Sequence, residues 1–275
     1  MKILVLSDIH SNIYALNAIW EREKDADLIV VAGDLVDYGP FPREVIRWCK
    51  MHKVLCVQGN HDREVIAKYR IYGKNTDCLP PQEYMWVHEN CRYLEEEEVS
   101  YLEGLPETLW FEADGYRYLV SHMYGPGRDR PGCIGLFDDF CRQNFVVSSN
   151  LPVRLILGHS HRQAVVCLRD NRLWVNPGSV SYRREDDFEK EALYAVIENG
   201  EIDLRAVGYD RKPLLQYTLE VAKNGRMQEA ELKVAFFFFG SSPAPSEQKG
   251  LAENMRIAQE DLKNTKKRED SFNEN

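Results

Sequence analysis

The chain has 275 residues, 44% of them hydrophobic, and a formal net charge of −9, enough for one substantial core or two modest ones. The acidic balance argues against broad electrostatic binding to nucleic acid or to an anionic membrane surface. Seven cysteines, odd in number and without a C-x-x-C pair, fit a reduced, cytoplasmic protein in which thiols serve as small apolar filler.

The opening run MKILVL is too short for a signal-peptide core, and no window approaches the ~18 apolar residues of a spanning helix. Lys2–Leu6 (KILVL) reads as a buried strand and Ile13–Glu23 as a helix. Leu28–Ala32 (LIVVA) is the next strand. Pro42–His52 follows as a helix opened by proline, with Val45, Ile46 and Trp48 inside. Val54–Val57 (VLCV) is a third strand, and Tyr84–Leu105 is helical, its EEEE run a solvated face. Tyr118–Val120 and Arg154–Gly158 complete the buried strands. Strands alternating with helices predict an α/β layered domain.

Beyond Gly158 the pattern turns to β, with hairpins predicted around Asp170-Asn171 and Asn199-Gly200. From Leu214 a short helix is expected. The VAFFFFG run before Gly240 should pack on the core, with the subunit interface of a homo-oligomer as second choice. The division expected is a domain over 1–239 and a linker with a charged tail over 240–275. GSSPAPSEQKG has linker composition. In the tail Leu251, Met255, Ala258 and Leu262 recur at helical spacing, a narrow stripe that frays or docks on a partner.

The polar residues gather at strand ends. SDIHSN, GDLVDYGP, GNHD, SHMYG and GHSH each follow one of the five buried strands. One such end is a turn. Five make a site, because ligands of layered α/β sheets sit at the carboxyl ends of strands. Asp8, His10, Asp34, Asn60, His122, His159 and His161 offer carboxylate, amide and imidazole donors with no thiolate, a set suited to Mn²⁺, Fe or Zn²⁺. Seven donors exceed one tetrahedral ion and suit two ions sharing a bridge.

The ordered series D-x-H (8–10), G-D (33–34), G-N-H-D (59–62), His122 and G-H-x-H (158–161), with VNPGS at 175–179, resembles the calcineurin-like metallophosphoesterases in their small prokaryotic phosphodiesterase branch. Ser11 stands where many relatives have glycine. The fold this implies is a four-layer α/β/β/α sandwich, two packed mixed β-sheets flanked by helices. The resemblance implies that Asp8, His10, Asp34 and His161 hold one divalent metal ion. Asn60, His122 and His159 would complete a second across a bridging Asp34. His61 is then the catalytic histidine and Asp62 the residue that orients it.

The implied reaction is hydrolysis of a phosphoric ester by in-line attack of hydroxide held between the metals. Charge on the phosphoryl oxygens is met by the metals and His61. The small phosphoester expected is a nucleotide or another phosphodiester. The alternatives are a phosphomonoesterase or diadenosine-polyphosphate hydrolase, and then a non-catalytic binding scaffold; the net charge disfavours a nuclease acting on long polynucleotides. Substrate contacts are expected from Asn12, Tyr38, Arg63, Arg128 and Arg130. The competing readings are a helix start for Asn12, a core cap for Tyr38 and a solvated loop for Arg128 and Arg130.

Overall fold

The computed structural model describes residues 1–125, 130–144, 151–169, 172–181, 184–187 and 189–273. In chain order the first half comprises β1 (Lys2–Leu6), α1 (Ile13–Arg22), β2 (Leu28–Val31), α2 (Pro42–Met51), β3 (Leu55–Cys56), α3 (Asn60–Tyr72), α4 (Trp86–Tyr93), α5 (Glu96–Glu103), β4 (Thr108–Ala113) and β5 (Tyr116–Ser121). The second half comprises α6 (Ile134–Asn144), β6 (Val153–Leu157), β7 (Gln163–Cys167), β8 (Leu173–Pro177), β9 (Ala192–Glu198), β10 (Glu201–Val207), α7 (Lys212–Lys223), α8 (Glu229–Phe239) and α9 (Leu251–Asn273).

The strands form two five-stranded mixed sheets, ordered β10-β9-β1-β2-β3 and β4-β5-β6-β8-β7. Strand alternation explains the layering. Ile3 and Val5 of β1 face the second sheet, where they meet Tyr118, Val120, Ile156 and Val175. Leu4 and Leu6 point the other way, into the layer beneath α1, α2, α4 and α5. On the far side Leu119, Leu155, Leu157 and Trp174 pack under Phe137 and Cys141 of α6. Helices, sheet, sheet and helix are thus the four layers expected. β1, β2 and β3 run parallel, as do β5 and β6, so the carboxyl ends of each set emerge at one edge of its sheet.

Asn199 and Gly200, both with positive φ (51° and 80°), make the two-residue turn between β9 and β10. The Asp170-Asn171 turn lies outside the described residues, and the strands on either side of it pair antiparallel. One strand is absent from the sequence reading. β4 pairs along its length with β5 across Asp114-Gly115, whose φ values of 50° and 78° mark the same kind of turn. Its Trp110 is exposed at the sheet edge, so no continuous apolar run announces it. The stretch 84–105 is two helices rather than one, broken where Leu94 turns extended (ψ 142°).

The apolar run before Gly240 is the end of α8, and Phe236 to Phe239 are all buried. They pack with Leu214, Leu215 and Leu219 of α7, with Tyr84 and Trp86, and with the tail. The tail stripe docks on this chain itself: Leu251, Met255, Ala258 and Leu262 of α9 lie in that same cluster. Among the described residues no helix is long and apolar enough to cross a membrane, and all seven cysteines are free.

Candidate metal centre

The strand ends are built from unusual backbone. Asp8 (φ 56°), His10 (49°), Asp34 (55°), His159 (68°) and His161 (55°) all occupy the left-handed region. Each such non-glycine residue costs on the order of 1–3 kcal/mol, so the surrounding structure must hold them there. Glycine supplies the close approach. A Cβ on Gly59 would lie 2.0 Å from Asp34 Oδ1, and one on Gly33 would lie 2.7 Å from His122 Nδ1.

The two buried carboxylates are arranged alike. Asp8 Oδ2 accepts from the Ser7 hydroxyl and from the His159 N–H at 3.1 Å. Asp34 Oδ1 accepts from the His61 N–H at 2.9 Å. One oxygen of each is pinned; Asp8 Oδ1 and Asp34 Oδ2 accept no hydrogen bond among the described residues, although both are buried. Such atoms carry a full desolvation penalty unless a cation faces them.

Around each open oxygen stand further donors. His161 Nε2 lies 3.2 Å from Asp8 Oδ1 and 3.2 Å from His10 Nε2. On the other side Asn60 Oδ1 is 2.9 Å from His122 Nε2 and 3.0 Å from His159 Nδ1, and His122 Nε2 is 3.1 Å from Asp34 Oδ2. Bonds of about 2.1 Å to a common ion would set neighbouring donors about 3 Å apart. The second group has that spacing, and the first has it at His161, while His10 Nε2 lies farther from Asp8 Oδ1, at 3.9 Å. Asp8, Asp34 and His122 also offer atoms within 4.8 Å of one another, so the groups adjoin through the two carboxylates. The structure therefore brings together all seven donors read from the sequence, in two adjoining groups whose carboxylate, amide and imidazole chemistry could hold metal.

His122 shows how a donor is aimed. Its Nδ1–H donates to the Ala32 carbonyl at 2.8 Å, which turns Nε2 toward Asn60 and Asp34. Burial alone would lower its pKa, but the Asp34 charge outweighs this and raises it to about 9. Burial likewise opposes the Asp34 carboxylate, yet the imidazoles of His122, His10 and His61 hold it well below the usual range. Opposite charge is thus the currency of the site.

Asp62 does not do what the resemblance implied. Its carboxylate accepts four backbone N–H bonds, from Asp34 (3.0 Å), Leu35 (2.8 Å), Val36 (3.2 Å) and Gly59 (2.8 Å). Standing in the first turn of α3, it reaches back to the residue before the helix and ties down the loop after β2. Burial and the Asp34 charge push its pKa up to about 6 against those donors. Asp62→Asn would set an amide N–H₂ against N–H groups. We expect a loss of about 2–4 kcal/mol in urea unfolding, the cost of unmade buried bonds.

The orienting bond to His61 comes from Asp37 instead. His61 Nδ1 lies 2.7 Å from Asp37 Oδ2, and the ring packs against Tyr38 (4.3 Å between centroids) and His10 (5.2 Å). Asp37 and Tyr38 both have positive φ (72° and 58°), which swings them back over the site. Asn90 of α4 braces this loop. Its Oδ1 accepts from Asp37 N–H (2.9 Å) and Ser11 Oγ (2.7 Å), and its Nδ2 donates to Gly39 O (2.8 Å) and Trp86 O (3.1 Å). The Ser11 that departs from the family glycine thereby has a partner. No motif marks Asn90; its one sequence clue is an asparagine inside a helix, where the residue is disfavoured without such a role.

The expected substrate contacts divide. Asn12 is fully buried; its Oδ1 caps α1 through Ala15 N–H, and its Nδ2 donates to Ser181 Oγ at 3.2 Å. The competing reading, a helix start, accounts for these contacts. Arg130 lies over the Trp174 ring at 6.0 Å, with the layer under α6 rather than with the metal donors. Arg128 lies outside the described residues. Tyr38 covers the histidines His10 and His61, and Arg63 is exposed one helical turn beyond Asn60.

Two packed mixed sheets with helices on both outer faces define an α/β sandwich of the metallophosphoesterase type. A model of the calcineurin-like phosphoesterase superfamily domain matches residues 1–200, and the chain belongs to that superfamily. An uncharacterized protein of Methanocaldococcus jannaschii is 28% identical over 229 residues, spanning 76% of this chain and 88% of its own. The crystal structure of a metallophosphoesterase from Sphaerobacter thermophilus matches with a TM-score of 0.64 at 23% identity, over 86% of this chain and 98% of that one. A hypothetical protein from Pyrococcus horikoshii has the same TM-score at 19% identity, over 88% and 99%. Both structures are similar to this chain in fold.

Proposed function

We propose that the chain is a dinuclear metal-dependent phosphoric ester hydrolase acting on a nucleotide or another small phosphodiester. One observation carries the reading: Asp8 and Asp34 each pin one carboxylate oxygen to N–H or O–H groups of the fold and turn the other, also buried, toward an imidazole nitrogen, His161 Nε2 at 3.2 Å and His122 Nε2 at 3.1 Å. In this reading Asp8, His10, Asp34 and His161 would hold one divalent ion, and Asp34, Asn60, His122 and His159 would hold the second. Ions bound there neutralise phosphoryl oxygens and acidify water.

The remaining work belongs to the chain. The left-handed turns hold the donors rigidly, so little reorganisation is needed when charge develops on phosphorus. Asp37 fixes the ring of His61 through Nδ1, and a proton on the other ring nitrogen passes to the departing ester oxygen, worth roughly 10² to 10⁴ in rate. Tyr38 packs on that ring and limits its tilt.

The test is a panel of bis-p-nitrophenyl phosphate, p-nitrophenyl phosphate and dinucleoside polyphosphates with Mn²⁺-loaded protein. The highest kcat/KM is expected on the diester. A preference for the monoester or the polyphosphates would select the alternative readings, and no turnover with metals bound would select a binding scaffold.

A further inference from the structure

We propose that α7 is a positioning element for His61: Tyr217 holds Glu89 of α4, and through the adjoining Asn90 it fixes the loop that carries Asp37. This role presupposes the hydrolase reading above and falls to three residues outside the donor set. Tyr217 lies beyond residues 1–200, the segment that the calcineurin-like domain model matches.

Glu89 is 3% exposed, and phenols meet both of its oxygens. The Tyr217 hydroxyl donates to Oε1 at 2.6 Å and the Tyr84 hydroxyl to Oε2 at 2.5 Å, with the Arg92 guanidinium 3.5 Å from Oε2. A buried carboxylate held this way stabilises a fold no more than well-packed apolar side chains would, but its bonds have direction. The Tyr217 ring also reaches Phe41, 6.1 Å between centroids, and Trp86, 6.3 Å. Phe41 ends the loop, directly before α2, and its N–H donates to Ser11 O at 3.1 Å. One residue of α7 thus bears on α4 and on the far end of the loop together.

At 3.6 residues per turn, neighbours on a helix point in different directions, so Glu89 and Asn90 present different faces of α4. Glu89 meets α7. Asn90, fully buried, grips the loop at two points, accepting from the Asp37 N–H and donating to Gly39 O. Asp37 Oδ2 in turn lies 2.7 Å from His61 Nδ1. A shift of α4 therefore passes to Asp37 and on to the imidazole. A misplacement of about 1 Å at a reacting group costs on the order of 10²-fold in rate, so the hold on α4 reaches the proton donor.

The experiment uses the full chain loaded with Mn²⁺ and two diesters, bis-p-nitrophenyl phosphate and diphenyl phosphate. Nitrophenolate departs readily without a proton, whereas phenolate depends on one. A fault at the proton donor therefore raises the ratio of kcat on the nitrophenyl ester to kcat on the phenyl ester. We expect that ratio to rise roughly 10²-fold in His61→Ala, about tenfold in Asn90→Ala and about threefold in Tyr217→Phe, with metal content unchanged in all three. Tyr217→Phe keeps the ring and decides the matter if Asn90→Ala folds poorly. Tyr194→Phe is the control: its hydroxyl donates to Glu23, a buried carboxylate that Lys2 meets at the start of β1, whereas Asp8 follows the end of that strand. Its ratio should stay that of the natural chain. Equal falls on both esters in Asn90→Ala and Tyr217→Phe, or a rise in Tyr194→Phe as large as theirs, would overturn the positioning role alone. An unchanged ratio in His61→Ala would overturn it together with the proton donor it serves. No hydrolysis of either ester by the metal-loaded natural chain would overturn the hydrolase reading as well.

Discussion

Alanine in place of His61 is expected to lower kcat by roughly 10² to 10⁴ while both metal ions still bind. The expectation follows from where the ring is held. Its Nδ1 is tied to Asp37 at 2.7 Å, and its backbone N–H, which alanine keeps, is what pins Asp34 Oδ1. The substitution thus removes the proton donor and leaves the carboxylate in place. Asp37→Asn is the companion variant. It keeps a hydrogen-bonding atom near Nδ1 but removes the charge, so kcat should fall by a smaller factor with KM little changed. Asp37, His61 and Glu64 also offer atoms within 4.8 Å of one another. If that trio held an essential ion, His61→Ala would lose metal along with turnover, and the assignment of His61 as proton donor would fail.

The second large effect concerns Asp34. Asp34→Asn retains an acceptor for the His61 N–H yet removes the charge nearest His122. Metal affinity should drop by well over the 10- to 100-fold typical of groups that merely support a ligand. Stability gives an independent readout. Metal at 100 times its Kd should raise the unfolding free energy of the natural chain by about 2.7 kcal/mol, and the variant at the same concentration should gain almost nothing. A full metal-dependent gain in Asp34→Asn would show that this carboxylate is not a ligand.

The fold and the donor set were legible for a common reason. A buried parallel strand is an apolar run, and in this chain five such runs end in Asp, Asn or His beside tight turns. What sequence could not convey was the direction of side chains leaving left-handed backbone. Asp37 and Asp62 are both close to the motif residues, and the positive φ at Asp37 brings its carboxylate to His61. The helix begins at Asn60, so Asp62 falls in its first turn and bends back to backbone N–H groups. Knowing where α3 starts would have predicted that assignment.

Asn12 was similarly ambiguous until α1 was seen to begin at the next residue. Edge strand β4 escaped because its exposed Trp110 and charged Glu112 break the apolar pattern, although Asp114-Gly115 was a turn signal in plain view. The tail stripe, read as one narrow apolar face that frays or docks on a partner, packs in this structure against the same chain. Its partner, the α7–α8 surface, became visible only with the phenylalanines of α8 in a helix.

The neighbours Asn60 and His61 give the most direct test of the centre as a whole. Metal content per chain is measured by mass spectrometry on the natural protein, Asn60→Ala and His61→Ala, all loaded and desalted alike. Two ions are expected in the natural protein and in His61→Ala, with fewer in Asn60→Ala. Equal metal content in both variants, whether kept or lost, would contradict the division of roles between a metal ligand and a proton donor.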